Sequence, residues 1–420
     1  MIESARVQAA IEILEQVSES LSNDGASADN LIRKYFRTRR YAGSKDRRAV
    51  TGLVYQVVRN WGFLAEVSGG SVRKMVLQTL GDDTLFSGQD HSPAAPSDDE
   101  RAFLTKTHEE QPHHRLNYPL WLESRLQARF GDNFVAELES LNGRAPFDLR
   151  VNPGKATVAE VETFLKDQDV DFSRGKWADS ALILSDNPRI DSWDIYKDGA
   201  VEIQDEAAQL AVDLCAIKPG QQVMDLCAGA GGKTLAAAAL MENKGQIYAF
   251  DNNARRLKDL KPRAKRANVR ILQGRHLDTA GGKRQKILSE YLEKMDRVIL
   301  DVPCSGSGVW RRNPELKWRL DADNLTKYMR IQKTLLSEGW GFVKPGGRMI
   351  YMTCSLFQDE NEQQISTFLD SHEGAKLIPY SDLYEKPDLK SLSSLPDCLA
   401  LSPHSHGTDG FFVAIIEKTA

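Results

Sequence analysis

Apolar residues recur at helical spacing throughout residues 1–81. The clearest stripe follows Ser44, a candidate N-cap, and repeats at intervals of three and four residues at Val50, Leu53, Val54, Val57, Val58, Trp61 and Leu64. Such a stripe must be buried against a partner surface. The pattern therefore predicts an N-terminal helical domain over residues 1–81.

This periodicity is lost over residues 82–117, where Gly, Ser, Pro and His predict a polar linker. His113 and His114 lie in that segment, and we interpret them as a solvated pair, so that no metal site is predicted. Residues 118–204 predict two helices ending near Gly143 and then a small α+β subdomain. Its predicted elements are a strand in DLRVN, a helix in TVAEVETFLKDQ and strands in ALILS and AVEIQ.

Over residues 205–420, short apolar runs alternate with segments of helical length. The strand-like runs are VMDLC, QIYAF, VRILQ, DRVILDVPC and RMIYMTC, and FFVAIIEK adds an edge or hairpin strand. Alternation of this kind is typical of βαβ units. The sequence thus predicts an α/β domain with a mainly parallel sheet.

Charge is unevenly distributed along the chain. The formal net charge is -4, yet residues 33–48 and 255–270 are densely basic. A charge run is most often a solvated helix face, but the first run also contains Tyr35, Phe36 and Tyr41. Basic and aromatic residues together favour an RNA partner, without deciding it.

The remaining composition narrows the class of protein. Five single cysteines without a CxxC pair argue against a zinc ribbon and against a disulfide framework. The opening segment reads as an amphipathic helix instead of a signal peptide, and no apolar run is long enough for a membrane span. We therefore expect a soluble, cytoplasmic protein that does not bind membranes, and a monomer.

The segment VMDLCAGAGGKT predicts a strand, a glycine turn and a helix, which is typical of a nucleotide pocket. A phosphate-binding P-loop would need glycine at Cys227, and a dinucleotide fingerprint would need glycine at Thr234. The segment therefore matches neither motif. Asp225 and Asp251 end two successive strands, where a carboxylate can bind a ribose diol. Asp251 could also cap the next helix, and the two roles can coexist. An adenosine-type cofactor is favoured.

Two cysteines follow predicted strands. Cys304 comes after Asp301 in DRVILDVPC, and Cys354 ends RMIYMTC near the predicted start of a helix, a position that stabilises a thiolate. A thiolate that adds to carbon 6 of cytosine makes carbon 5 nucleophilic. The segment after Cys304 is expected to hold RNA phosphates and stack on bases through Trp310, Arg311, Arg312, Lys317, Trp318 and Arg319.

The chain resembles the bacterial Sun/Fmu (RsmB-like) type of S-adenosylmethionine-dependent RNA (cytosine-5) methyltransferases. The matching motifs cover most of the chain. They are GSKDRRAVTGLVYQVVR (43–59), LRVNPGK (149–155), QDEAAQL (204–210), DLCAGAGGKT (225–234), Asp251, LDVPCSGSGVWRRNP (300–314), YMTCS (351–355), ENE (360–362) and DGFFVAIIEK. The resemblance implies a Rossmann-like class I methyltransferase sheet with a small RNA-binding subdomain and an N-terminal helical domain.

The resemblance also implies roles for individual residues. Cys354 would be the nucleophile that adds to carbon 6, Cys304 would assist release of the product, and Asp301 would contact the cytosine. S-adenosylmethionine would be held by Cys227, Ala228, Gly229, Ala230, Gly231, Gly232, Lys233, Asp251 and Asp301. Lys233 is also a candidate for a further active-site role. Ribosomal RNA is the family's commonest bacterial substrate, with transfer RNA as the alternative.

Two features depart from the family pattern. The acid that usually follows the third strand and contacts the adenine is replaced by Arg275, with Asp278 shifted along the chain. The helical region before the polar linker is also shorter than the family's full N-terminal domain.

Two other functions remain to be weighed. A catalytically silent RNA-binding or ribosome-assembly factor is disfavoured by the retained aspartates and cysteines. A DNA cytosine-5 methyltransferase would use the cysteine of its PC motif as nucleophile, and the TC cysteine and the small subdomain speak against it.

Overall fold

The chain divides into two compact units in a computed structural model that describes residues 1–23, 25–278 and 280–419. Unit 1 comprises Met1–Gly143 and Val309–Ala322, and unit 2 comprises Arg144–Gly308 and Asp323–Ala420. The chain therefore leaves unit 2 after Gly308 and returns to it at Asp323. Within the described ranges, no helix is long and apolar enough to cross a membrane.

Unit 1 is helical. Its first nine helices are α1 (Glu3–Ser22), α2 (Ala28–Thr38), α3 (Ser44–Arg59), α4 (Trp61–Ser68), α5 (Val72–Leu80), α6 (Asp98–Thr105), α7 (Pro112–Arg115), α8 (Glu123–Phe130) and α9 (Phe134–Asn142), with 3-10 turns at Leu120–Leu122 and Gly131–Asn133. The stripe predicted in α3 is buried at Val50, Val54, Val57 and Val58, and it packs in one core with α1, α2 and α5.

The start of α3 differs from the prediction. Ser44 is the first helical residue, and Gly43 takes the N-cap position. Asp46, in the first turn, accepts a hydrogen bond from the Gly43 amide at 3.1 Å and pairs with the N-terminal amine and Arg6. The Asp46 carboxylate thus satisfies the amide of the N-cap residue itself, one of the amides at a helix start that have no partner within the helix.

The segment predicted as a polar linker is folded against the helical unit. Residues 82–117 contain α6 and α7, and they bury the side chains of Phe86, Phe103 and Leu116. Phe86 belongs to the core of α1–α5, and Glu100 pairs with Arg73 of α5 at 2.8 Å. Composition underestimated this segment because a few large apolar anchors fix a polar stretch onto a surface. The helices continue to Asn142, well beyond residue 81.

Unit 2 begins with a small antiparallel sheet. Its elements are β1 (Phe147–Val151), α10 (Val158–Asp167), β2 (Phe172–Arg174), β3 (Ala181–Leu184), a 3-10 turn (Ile190–Ser192), α11 (Asp194–Lys197) and β4 (Val201–Ile203). The strand order is β2-β3-β1-β4, with Leu149 opposite Leu182 and Ile203. Leu149, Leu182 and Val161 of α10 form the core of this subdomain.

The second sheet contains eight strands. Its elements, with one short helix of unit 1 in chain order, are α12 (Glu206–Asp213), β5 (Gln222–Asp225), α13 (Gly232–Leu240), β6 (Gln246–Asp251), α14 (Ala254–Arg266), β7 (Leu272–His276), α15 (Gly282–Leu288), β8 (Met295–Asp301), α16 (Leu316–Arg319, in unit 1), α17 (Ala322–Phe342), β9 (Val343–Thr353), α18 (Glu362–Ser371), β10 (Ala375–Ile378), β11 (Leu399–Leu401), α19 (Pro403–His406) and β12 (Phe411–Lys418). Further 3-10 turns lie at Ser289–Tyr291, Ser307–Val309 and Tyr380–Asp382.

The strand order is β10-β12-β9-β8-β5-β6-β7, and β11 pairs with β12. The pairs β5–β6, β6–β7, β5–β8 and β8–β9 are parallel, whereas β12 is antiparallel to β9 and β10. This confirms the Rossmann-like α/β fold. The order reverses between β5 and β8, and open α/β sheets bind ligands at the carboxyl edge of such a switch point. Asp225 ends β5 and Asp301 ends β8, so both lie at that edge.

Candidate active site

The glycine turn after β5 is fixed by backbone geometry. Gly229 and Gly231 have φ values of 55° and 88°, a region that favours glycine. A Cβ atom on Gly231 would lie 2.1 Å from Leu260 Cδ1 of α14, whereas a Cβ on Gly229 would meet nothing within 4 Å. Gly231 therefore lets the turn pack against α14, and the open side at Gly229 leaves room for a ligand to approach the backbone.

Asp251 ties this turn to β6. Its Oδ2 accepts a hydrogen bond from the Gly229 amide at 2.8 Å, and its Oδ1 accepts one from the Asn253 amide at 2.6 Å. The N-cap of α14 is Asn253, whose side chain accepts bonds from the Arg255 and Arg256 amides. Asp251 thus orders the turn before the helix, while capping falls to Asn253. Carboxylate oxygens have further lone pairs with which to accept a hydroxyl.

The residues around the turn fit S-adenosylmethionine, the cofactor expected from the resemblance. Three carboxylates, Asp225, Asp251 and Asp301, end adjacent strands beside the turn and complement a positively charged sulfonium. Asp225 Oδ2 accepts a bond from Thr234 Oγ1 at 2.6 Å, and burial raises the pKa of Asp225 to about 7. The open face at Gly229 gives the cofactor a place against the backbone. The acidic side chains and the open space at Gly229 are both consistent with bound S-adenosylmethionine.

The two strand-end cysteines meet. Cys304 and Cys354 follow the adjacent parallel strands β8 and β9, and their Sγ atoms are 3.4 Å apart although 50 residues separate them in the chain. The hydrogen bond with Cys354 and burial raise the pKa of Cys304 well above its usual value. Burial also raises the pKa of the other three cysteines, Cys215, Cys227 and Cys398. Cys215 and Cys398 are fully buried, unlike Cys304 and Cys354.

The expected helix start at Cys354 is wrong. Residues 354–357 are irregular, and α18 begins only at Glu362. The helix is delayed because the segment after Cys354 is hydrogen-bonded into the loop after Cys304: the Leu356 amide donates to Ser307 Oγ at 2.8 Å. The start of α18 at Glu362 is therefore too far along the chain for that helix terminus to stabilise a thiolate at Cys354.

Lys233 provides a positive charge beside the cysteines. Its Nζ donates to Asp301 Oδ2 at 2.6 Å and lies 5.0 Å from the centre of the Phe411 ring. Burial lowers the pKa of Lys233, but the charge of Asp301 and its hydrogen bond, with smaller contributions from Cys354 and Asp225, outweigh burial and raise it overall. Lys233 was grouped with the cofactor residues, and the structure places its amine on Asp301.

A buried polar network behind the cysteines was missed by sequence reasoning. Glu360 is fully buried, and its carboxylate accepts hydrogen bonds from Ser305, Ser355 and Gln332. Burial raises the pKa of Glu360, and those bonds partly offset it. The motif ENE was noticed as part of the resemblance, but spacing alone gave its first glutamate no role.

The aromatic and basic segment after Cys304 is not an RNA-facing surface as a whole, contrary to the expectation. Trp310 and Lys317 are 0% and 1% exposed, Arg311 is also buried, and Arg312, Trp318 and Arg319 are half-buried. Lys317 Nζ donates to Asn117 O and Asn142 Oδ1, both at 2.8 Å, within unit 1. Packing within the helical unit, and not base stacking, accounts for the tryptophan–arginine pattern.

The two basic runs are exposed, but their aromatic residues mostly are not. In the first run Tyr35 and Phe36 are buried in the core of unit 1, and Tyr41 is 73% exposed. In the second, the exposed cations of α14 are Arg255, Arg256, Lys258, Lys261 and Lys265. Arg263 and Arg266 instead pair with Glu202 of β4. After the third parallel strand, Asp278 is exposed.

Two family models match parts of this chain. The family model described as 16S rRNA methyltransferase RsmB/F matches residues 212–417. A second model, an RsmF/B-like ferredoxin-like domain, matches residues 118–191.

Curated relatives match over most of the chain. "Probable ribosomal RNA small subunit methyltransferase B" of Synechocystis sp. is 33% identical over 72% of this chain and 67% of its own length. The protein of that description from Bacillus subtilis is 30% identical over 74% of this chain and 69% of its own length.

Two solved structures are similar to this chain. PH0851 superposes with a TM-score of 0.82 at 28% identity, covering 100% of this chain and 99% of its own. A methyltransferase homologue from Pyrococcus horikoshii has a TM-score of 0.63 at 30% identity, covering 74% of this chain and 100% of its own.

Proposed function

Because this chain belongs to the RsmB/F family of 16S rRNA methyltransferases, we propose that it methylates carbon 5 of a cytosine in ribosomal RNA. S-adenosylmethionine is the methyl donor, and the reaction passes through a covalent adduct between Cys354 and carbon 6 of the ring. The observation that carries the proposal is the pair of thiols 3.4 Å apart beside the Lys233–Asp301 ion pair.

Cys354 is the nucleophile in this proposal. The raised pKa of Cys304 favours a neutral Cys304 thiol that donates its hydrogen bond to Cys354 Sγ. The charge of Cys354 is among the contributions that raise the pKa of Lys233, so the ammonium lies within electrostatic reach of that sulfur. A thiolate held in this way attacks carbon 6, and electron density moves onto carbon 5.

Asp301 and Lys233 orient the base. A carboxylate that keeps one oxygen on Lys233 can use the other to accept a hydrogen bond from the exocyclic amine of cytosine, while the Lys233 ammonium offsets the negative charge that moves into the ring. When bound, S-adenosylmethionine supplies an electrophilic methyl group to carbon 5. The backbone of Cys227–Gly232 and the carboxylate of Asp251 would hold it, and Asp301 would contact both the base and the cofactor.

Cys304 completes the reaction as a base. After methylation, carbon 5 still carries a proton and Cys354 is still bonded to carbon 6. The hydrogen bond with Cys354 is the largest cause of the raised pKa of Cys304, and it weakens once Cys354 has become a thioether, so that Cys304 can first give its proton to solvent. The Cys304 thiolate then removes the carbon 5 proton, the electron pair forms the carbon 5–carbon 6 double bond, and Cys354 leaves as a thiolate. The 3.4 Å separation places Cys304 beside the sulfur that must leave.

Three parts of the chain are assigned to RNA binding. We propose that the small sheet β1–β4 within the predicted region 118–204 contributes an RNA-binding surface, supported by the ferredoxin-like match. The exposed cations of α14 and of residues 33–48 supply contacts to phosphates that are independent of sequence. The predicted catalytic domain, residues 205–420, carries the chemistry.

The proposal is tested with the full-length protein, S-adenosylmethionine carrying a labelled methyl group, and either 16S rRNA or bulk transfer RNA. Nuclease digestion and mass spectrometry identify the modified nucleoside. Labelled 5-methylcytidine from 16S rRNA is expected, with none from a Cys354→Ala control. Binding of 16S rRNA without any methyl transfer would support a silent assembly factor, and label found only in transfer RNA would overturn the substrate assignment.

A further inference from the structure

The two cysteine loops are joined by one buried carboxylate. The loop after β8 carries Cys304 and Ser305, and the loop after β9 carries Cys354 and Ser355. Glu360 Oε1 accepts a hydrogen bond from the Ser305 amide at 2.9 Å, and Oε2 accepts bonds from the hydroxyls of Ser305 and Ser355. Each cysteine is thus one residue away from a serine held by the same side chain.

A third element is attached to the same carboxylate. Gln332 Nε2, from the middle of α17, donates to Glu360 Oε1 at 2.9 Å and to Pro303 O at 3.0 Å. Pro303 directly precedes Cys304. The Glu360 backbone is itself fixed, because Tyr351 of β9 donates from its hydroxyl to Glu360 O at 2.6 Å. The carboxylate is therefore anchored at its own end as well as at both loops.

This arrangement is costly for stability alone. An ionised carboxylate loses its hydration when it is fully buried, and apolar replacements of buried ionic groups are often neutral or stabilising. The near-complete satisfaction of Glu360 by two loops and a helix gives instead a fixed geometry. That geometry is needed most in irregular segments such as residues 302–306 and 354–357, which have no helical or sheet ladder of their own.

We propose that Glu360 is a positioning residue that sets the separation of the Cys304 and Cys354 thiols. The inference rests on the proposed function for its catalytic consequence, but the geometric part stands without it. Attack on carbon 6 needs Cys354 alone, whereas release needs Cys304 beside the bond that breaks at Cys354. Loosening Glu360 therefore slows release more than it slows adduct formation.

The distance between the Cys304 and Cys354 thiols can be probed without RNA or cofactor, by measuring how fast glutathione disulfide oxidises them to a disulfide. One thiolate displaces reduced glutathione to form a mixed disulfide, and the second thiol, after losing its proton, displaces another to close the Cys304–Cys354 bond. Peptide mass spectrometry follows that bond specifically. Glu360→Ala is expected to slow closure by about tenfold or more, because small displacements strongly reduce intramolecular rates. Glu360→Gln keeps one acceptor oxygen and replaces the other by an NH2 group that can donate to the serine hydroxyls, so its rate should fall between this variant and wild type.

The matched control is Glu206→Gln. Glu206 is likewise buried in unit 2 with a pKa raised by burial, but its carboxylate accepts bonds from the Trp177 and Ala178 amides. Closure at the wild-type rate is expected there. Circular dichroism shows which variants are folded. A folded Glu360→Ala or Glu360→Gln protein that closes the disulfide at the wild-type rate would overturn the proposal, whatever the fate of the methylation assay.

The catalytic consequence is read with RNA and S-adenosylmethionine. Glu360→Gln is expected to raise the fraction of protein trapped on RNA by about threefold or more while lowering turnover, since misplacing a base slows its own step. A loss of turnover without extra adduct would refute the assignment to release. If wild type forms no adduct at all, the proposed function fails, and the disulfide measurement still decides the role of Glu360.

Discussion

Residues 301–308 and residues 309–322 are neighbours in the chain but lie in different units. The first segment carries Asp301 and Cys304, and the side chains of both remain partly accessible. The second carries Trp310 and Lys317, both almost completely buried. The sequence predicted a substrate-facing role for both segments, yet only the first keeps these side chains accessible.

The difference teaches that residue type does not separate binding from packing. A buried tryptophan removes a large apolar area from water, and a lysine can be buried if its amine is hydrogen-bonded and loses its charge. Burial lowers the pKa of Lys317 to about 7, with Arg59 adding to the effect. We therefore expect changes in residues 301–308 to alter chemistry and changes in residues 309–322 to alter the stability of unit 1.

The largest effect should come from Asp301→Asn in the first segment. The amide keeps the shape of the side chain but removes its charge from Lys233, so methyl transfer should fall by about 10²–10⁴-fold. The matched control is Asp296→Asn on the same strand, where the carboxylate pairs with Lys344 at 2.6 Å at the opposite end. Single-turnover methylation measures the rate of methyl transfer in both variants. Equal losses would contradict the claim that changes in residues 301–308 alter the chemistry specifically.

Trp310→Ala tests the second segment. Removing a fully buried indole should lower the unfolding free energy of unit 1 by about 3–5 kcal/mol. Hydrogen exchange of the amides in α3, followed on peptides from the intact chain, measures this loss of stability. Trp121, which is 38% exposed, is the control, and Trp121→Ala should cost much less. Weakened RNA binding with unchanged exchange would instead restore the base-stacking interpretation of Trp310.

Lys317→Met sharpens the comparison through pH. The pKa of Lys317 is about 7 in the folded chain and near the ordinary 10.5 when unfolded, so between these values the unfolded state binds the extra proton. The stability of wild type relative to the variant should therefore rise with pH across that window, with a slope approaching about 1.4 kcal/mol per pH unit. Exchange of α3 peptides from both proteins at matched pH values measures it. A flat difference would mean that Lys317 keeps its charge when folded.

The sheet was predictable because each βαβ unit left its own pattern of apolar residues. The part of the site that depends on strand ends and on thiol chemistry was predictable. These two features placed Asp301, Cys304 and Cys354 at one edge of the sheet. The sequence left open whether Asp251 caps α14, because an acid just before a helix can serve either the cap or a ligand. The structure gives the cap to Asn253, and Asp251 instead accepts a hydrogen bond from the Gly229 amide. The role of Glu360 could not be predicted because two of its partners, Ser305 and Gln332, lie 55 and 28 residues away in the chain.

The most direct test of the central claim is a trapping pair, in which Cys304→Ala and Cys354→Ala are each incubated with 16S rRNA and S-adenosylmethionine and resolved under denaturing conditions. Cys304→Ala should accumulate a covalent protein–RNA adduct, because the bond to Cys354 forms but cannot be released. Cys354→Ala should show neither adduct nor methylation. An adduct that persists without Cys354 and disappears without Cys304 would contradict the account and exchange the two roles.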